Sequence, residues 1–263
     1  MTTMRSRWSN VSQSRPGRSR RARTEGATIG TGAHSRPLLS LILLTILSAS
    51  LAIGLVPAAS AAIGNQQAAL ASTTSRPTLR YGSRGPAVVY LQQRLTALRY
   101  DVGGVDGVFG YSTLHGVYAF QKVQGISVDG VVGPITWSRL ASPYRPRARY
   151  YRSAAAVEVN LSRRVVYLTR SGAVTRILDA SPGKPSTPTP TGSFSIYRRI
   201  NGWHLSPLGW MWRPNYFYRG YALHGSTSVP TYSASHGCVR VTVPAMNRAW
   251  SQLYIGERLY VYR

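Results

Sequence analysis

The chain has 263 residues and carries 32 Lys and Arg against seven Asp and Glu, a net charge of +25. That length holds one large or two modest domains plus a leader, and a single cysteine excludes an intramolecular disulfide. So basic a balance implies an anionic partner: nucleic acid, a membrane surface or an anionic polymer.

Residues 1–37 are rich in Arg, Ser, Gly and Thr, show no apolar periodicity and read as disordered. Leu38 to Val56 is a 19-residue run without charge, followed by Pro57 and the small residues Ala58-Ala-Ser-Ala-Ala62. This reads as a long signal peptide cleaved near Ala61 or Ala62. The alternative is an uncleaved signal anchor, since the run is just long enough to span a bilayer. Either way residues 1–61 are a basic leader plus export segment, and the chain beyond them is expected outside the cytoplasm. The expected location is the cell wall, the periplasmic space or the extracellular medium, with membrane contact only if the leader stays attached. An export signal makes nucleic acid the poor partner. Beyond Ala61 the charge is 24 Lys and Arg less six Asp and Glu, 24 − 6 = +18.

After a polar linker at 62–78, a helical unit is expected at 79–142. Val88, Leu91, Leu95 and Leu98 share one helical face. Val105-Asp-Gly-Val-Phe-Gly110 precedes a second helix, predicted from Ser112, as N-cap, to about Gln121. The turn recurs as Val128-Asp-Gly-Val-Val-Gly133 and opens a third helix with Pro134 at its first position, burying Ile135, Trp137 and Leu140. Gly116 inside the second helix costs roughly 1 kcal/mol against Ala, so that helix is weak or packs closely there. His115 reads as an exposed helix residue. With Leu91-Gln-Gln-Arg-Leu95, Ala119-Phe-Gln121 and the two Asp-Gly turns, the unit resembles the three-helix type 1 peptidoglycan-binding domain.

Residues 143–153 read as a Pro/Arg linker, either solvated or drawn to an anionic polymer. From 154 to 263 the signals are β: Ala156 to Leu161, Arg164 to Leu168 and Val174 to Leu178 read as strands, as does Glu257 to Tyr262. Thr187-Pro-Thr-Pro-Thr-Gly192 reads as a rigid loop before a strand. The aromatic stretch at 198–220, with Trp212 and Tyr216, reads as a lid or substrate wall, or else as a minor core under a long hairpin. Val243 to Leu253 is the one helix expected here.

The chemistry concentrates in Leu223-His224-Gly225 and Ser235-His236-Gly237-Cys238-Val239-Arg240, which hold the only cysteine and two of five histidines. An imidazole that takes the thiol proton gives acyl-transfer chemistry. Gly237 permits a sharp turn, and amides beside it, those of Gly237 and Cys238, suit an oxyanion hole. Arg240 suits a substrate carboxylate, or fixes the loop through carbonyls. A zinc site on His224, His236 and Cys238 is the metal alternative.

His224-Gly225 with Ser235 to Arg240, and Pro188-Thr-Pro-Thr-Gly192 before Phe194, resemble the L,D-transpeptidases of bacterial cell walls. The resemblance implies a Cys238 nucleophile, His224 as its base, His236 shaping the loop, and no metal or cofactor. It implies peptidoglycan stem peptides as donor and acceptor and a 3→3 crosslink through a thioester. Alternatives are an L,D-carboxypeptidase or hydrolase of stems, and a catalytically silent wall-binding protein. The substrate- and oxyanion-binding set is Gly237, Ser235, Arg240, Gly225, Trp212 and Tyr216. The expected architecture is α+β: a small three-helix domain at 79–142 that holds the wall, then a mainly β catalytic domain at 154–263 able to turn over without it. The chain is expected to act as a monomer.

Overall fold

Among the described residues three helices come first: α1 (Pro86–Ala97), α2 (Tyr111–Gln124) and α3 (Pro134–Ala141). They open the computed structural model, which describes residues 76–151 and 154–263. The predicted leader at 1–61 and most of the linker at 62–78 lie outside the described residues. Each helix starts on a glycine, at Gly85, Gly110 and Gly133, with no side-chain cap. Ser112 is therefore not the N-cap expected of it; α2 starts one residue earlier, and Ser112 sits in its first turn. The work of a cap passes to a buried glutamine in the preceding helix. Gln92 Nε2 donates to Asp106 Oδ1 (2.7 Å), and its Oε1 accepts from Gly107 N (2.9 Å). Gln121 repeats the arrangement with Asp129 and Gly130 at 2.7 and 2.9 Å. The duplicated motif is thus a helix whose Gln clamps the next Asp-Gly turn, the turn glycines having φ of 72° and 74°. Trp137 and Leu140 are buried, whereas Ile135 is 70 % exposed, because α3 turns its second residue outward.

Among the described residues ten strands follow in two sheets. The first has the order β3 (Ala173–Asp179), β2 (Val165–Arg170), β1 (Ala155–Asn160), β10 (Arg258–Tyr262) and β4 (Gly192–Ser195). Only β1 and β10 run parallel. The second has β5 (Arg198–Arg199), β7 (Gly209–Tyr218), β8 (Tyr221–Ser226) and β9 (Val239–Thr242), with β6 (Trp203–Ser206) paired to β7. Helix α4 (Val243–Ala249) leaves β9, its first turn capped by Thr242 Oγ1, which accepts from Ala245 N at 3.2 Å. It is shorter than the expected helix and ends in a 3-10 turn at Trp250–Gln252.

Strand β2 carries the organisation of the molecule in its sequence, Val165-Val-Tyr-Leu168. Val166 and Leu168 face a core shared with Leu223, Val239, Val241 and Met246. Val165 and Tyr167, with Ile177 of β3, belong instead to the core of the three helices, among Leu98, Tyr100 and Phe120. A strand buried on both faces reads as an unbroken apolar run, as this one does.

The helices therefore cover the outer face of the first sheet. Backbone bonds knit the seam, Asp101 N to Ile177 O at 3.0 Å and Ile177 N to Arg99 O at 2.8 Å. Asp101 also accepts from Arg176 and Arg248, each at 2.7 Å. Gly116 lies where α2 crosses the chain; a Cβ there would stand 2.6 Å from Val102 Cγ1. His115 is buried rather than exposed, its Nδ1 2.7 Å from Asp179 Oδ2, because its helix face meets β3. The linker is tied down as well. Tyr150 stacks on Tyr260 at 4.0 Å, and the amides of Arg149 and Tyr150 donate to Glu158 at 3.0 and 2.9 Å. The helical and β units thus share one core.

Candidate active site

Strands β8 and β9 run parallel with Leu223 opposite Val239 and His224 opposite Arg240. Side chains alternate along a strand, so Leu223, Val239 and Val241 enter the core while His224 and Arg240 share the other face. Cys238, at the foot of β9, joins them; its Sγ lies 3.4 Å from the amide of Ala222, two residues before His224. His224, Cys238 and Arg240 all line one cleft of about 730 Å³, together with His236, Ser235 and Tyr216. Gly237, Gly225 and Trp212 do not line it.

The turn that delivers Cys238 is set by close packing. Gly237 has φ of 110°, and a Cβ there would sit 2.2 Å from the Tyr221 ring; only glycine fits. Ser235 Oγ accepts from Gly237 N at 3.0 Å and donates to the Cys238 carbonyl. The Gly237 amide is thereby committed inside the loop, which corrects its expected place in an oxyanion hole. The Cys238 amide has no acceptor among the described residues.

A second segment clamps this loop from behind. Ser181 N donates to Arg240 O (2.9 Å), and Arg240 N to Ser181 O (3.1 Å). The Pro182 carbonyl accepts from both Ala234 N and Ser235 N at 3.0 Å. Thr187 Oγ1 donates to Ser235 O at 3.0 Å, and Thr189 Oγ1 accepts from Gly183 N at 2.9 Å. The Pro-Thr-Pro-Thr stretch is thus more than a rigid loop, because its hydroxyls hold the clamp to the loop. Sequence reasoning missed Ser181, Thr187 and Thr189 as parts of the site; the signal for the two threonines was their alternation with proline.

His224 is buried, and its Nδ1 lies 2.9 Å from Gly225 O. A carbonyl only accepts, so Nδ1 carries the proton and Nε2 is left as the basic nitrogen. Burial pushes the imidazole pKa down to about 4; the Gly225 carbonyl opposes this and the Arg240 charge adds to it. Burial also pushes the Cys238 thiol up, against smaller lowering by the Ala222 amide and Arg240. Near neutral pH both groups are therefore uncharged, a thiol and a free base on the same cleft.

The cleft wall is hairpin β6–β7, with Leu205, Leu208 and Trp210 exposed along it. Arg198, Arg219 and Arg240 line the cleft and no acidic residue does. Among the described residues Arg240 makes no ion pair. Trp212, expected in the substrate wall, turns away from the cleft: its indole N–H donates to Asn247 Oδ1 of α4 at 2.7 Å. Gly225 packs beneath it, a Cβ there falling 2.9 Å from Trp212 and 3.2 Å from Met246. Among the described residues no three His, Cys, Asp or Glu could hold a metal ion. His224, His236 and Cys238 therefore do not form a zinc set.

Comparison with known proteins agrees with this geometry. Residues 154–261 match the L,D-transpeptidase catalytic domain family, and residues 84–140 a peptidoglycan binding domain family. The crystal structure of an L,D-transpeptidase from Xylanimonas cellulosilytica is 44 % identical, with a TM-score of 0.68, covering 70 % of this chain and 97 % of that one. The chain belongs to the L,D-transpeptidase family. An uncharacterised protein of Kitasatospora aureofaciens is 38 % identical over 104 residues, 39 % of this chain and 88 % of the relative. A spore cortex-lytic enzyme of Bacillus subtilis is 36 % identical over 90 residues, 34 % of this chain but only 28 % of the relative.

As an L,D-transpeptidase family member with a peptidoglycan binding domain, the protein has peptidoglycan as its substrate class. The fold is mixed, a helical region followed by a mainly β domain. In this member of the family, Asn215 is a further buried support that sequence reasoning missed. Its Nδ2 donates to the carbonyls of Arg213 (2.9 Å) and Leu223 (3.3 Å), fixing the irregular pairing of β7 with the strand that bears His224.

Proposed function

We propose that the protein is an exported L,D-transpeptidase that joins peptide stems by 3→3 crosslinks through a thioester on Cys238. The observation that carries this reading is His224 and Cys238 opening from adjacent parallel strands onto one cleft, with His224 Nδ1 already committed to Gly225 O. Cys238 Sγ attacks the carbonyl between the third stem residue and a terminal D-Ala as His224 Nε2 takes the thiol proton. The oxyanion that forms is met by the Cys238 amide, which has no acceptor among the described residues. The C–N bond then breaks, the proton passes from His224 to the leaving D-Ala amine, and a thioester remains. The side-chain amine of a second stem attacks it, the new amide forms, and the thiolate leaves and recovers a proton. His236, exposed on the cleft edge, shapes the acceptor side, and Arg240 pairs a stem carboxylate.

Export rests on the apolar run and small-residue site at 38–62, and the +18 charge beyond Ala61 suits walls bearing anionic polymers. Among the described residues no helix is long and apolar enough to cross a membrane.

Incubating the pure protein with a tetrapeptide-stem muropeptide and weighing the products tests the reaction. The expected product is a dimer with one D-Ala lost, absent with Cys238→Ala. A tripeptide monomer alone would make the protein a carboxypeptidase, and no change would leave a wall-binding protein.

A further inference from the structure

Lys122 lies on α2 of the helical domain, and its side chain is fully buried. Every acceptor it reaches belongs to the catalytic domain: Asp179 Oδ1 at 2.6 Å, Ala180 O at 3.0 Å and Arg164 O at 3.4 Å. Asp179 is also buried, and its other oxygen faces His115 of the same helix. These acceptors are not scattered. Asp179 and Ala180 run directly into Ser181 and Pro182, the clamp on residues 234–240. Arg164 O also accepts from Ala180 N at 3.1 Å, and Arg164 Nε donates to Thr231 O at 3.0 Å, the other end of the same loop. One ammonium thus gathers the two backbone points from which the nucleophile loop hangs.

A lysine buried for docking alone would need only the carboxylate. Desolvation pulls its pKa down against the opposing pull of Asp179, so burial carries a cost that its partners offset. The two carbonyls bring the ammonium to three acceptors, the number its three protons can serve. Together these contacts fix the backbone beside the clamp as well as the seam between domains.

We propose that Lys122 of the peptidoglycan-binding domain is a positioning residue for the loop carrying Cys238, so that the helical domain completes the catalytic geometry as well as binding substrate polymer. The proposal rests on Cys238 as the nucleophile of the proposed reaction. Displacements on the order of 1 Å at a reacting atom cost up to about a hundredfold in rate, and a loop freed at Ala180 and Arg164 has that latitude.

The test uses the full chain with Lys122→Met, and with Lys122→Met/Asp179→Leu, which removes both buried charges so that no lone carboxylate unfolds the protein. Leu91→Ala, which cuts the helical core away from this node, is the control for lost stability. Two readouts are taken: kcat and KM on a soluble tetrapeptide-stem muropeptide, and the rate of Cys238 alkylation by iodoacetamide. In the double variant kcat should fall by about tenfold with KM within about twofold. Alkylation should change by more than about threefold as the thiol leaves its half-buried setting. Binding to insoluble peptidoglycan should persist. Both readouts within twofold of the unmodified protein would overturn the proposal, as would equal changes in Leu91→Ala. If the unmodified protein does not turn the stem over, the proposed reaction fails, and the alkylation rates still decide the role of Lys122.

Discussion

His224 is a base tuned by burial. Its pKa of about 4, against an ordinary 6.5, keeps Nε2 free of protons through the whole neutral range. The acid limb of kcat/KM should therefore fall near pH 4 rather than near 6.5. Stability follows the same group with a definite sign. The unfolded imidazole binds a proton below about 6.5 and the folded one only near 4, so stability is intact above 6.5 and lost as pH falls towards 4. Urea midpoints should drop across that window in the unmodified protein and drop less in His224→Gln; equal drops would mean the imidazole is not held neutral. The thiol moves the other way, so its alkylation should rise with pH past the midpoint of an ordinary cysteine. A rate plateau below pH 7 would instead reveal a charged pair. At this scale the sequence was generous with identity and silent on charge. The spacing of His224, Ser235 and Cys238 is written in the chain, but the direction of each pKa depends on which walls close around it. The commitment of the Gly237 amide to Ser235 likewise depends on a hydroxyl orientation that no motif encodes.

Among the elements, α2 is where local preference and packing disagree. A glycine inside a helix costs roughly 1 kcal/mol against alanine, so Gly116→Ala should stabilise an isolated helix. In the folded protein the added methyl would meet Val102 Cγ1 at 2.6 Å and Asp101 O at 3.2 Å, the second a backbone atom pinned into the seam with β3. Overpacking of this kind costs on the order of 1–3 kcal/mol, so the substitution should lower the melting temperature. A rise would show that the seam yields. The helices themselves were legible from apolar periodicity and turn glycines, and four of the five strands of the first sheet from β-rich runs. What the sequence withheld was the second face of β2 and β3. An apolar run such as Val165 to Leu168 announces burial without saying what buries it, and His115 read as exposed because its partner, Asp179, stands 64 positions away.

At the scale of the molecule, the shared core decides whether the catalytic half can stand alone. Removing 62–142 would uncover Val165, Tyr167 and Ile177 and strand Asp179 without Lys122 and His115. Uncovering each large apolar side chain costs about 1.5–3 kcal/mol, against a typical total stability of about 5–15 kcal/mol. The truncated chain should be insoluble or lose turnover, whereas the intact chain should melt in one calorimetric transition. A soluble fragment 143–263 with full turnover of a soluble stem would contradict this account of the seam.

The pinned linker has a further consequence for how the protein works along a polymer. A tethered pair of modules searches: its anchor fixes one point, and the catalytic half samples a volume set by the slack. Here Tyr150 on Tyr260 and the two amides on Glu158 fasten residues 149–150 to the first sheet. The offset between anchor and cleft is a fixed stride, like the gap between the jaws of a caliper. On the proposed reading, the stems within reach of Cys238 are those at that one offset from where the helices bind.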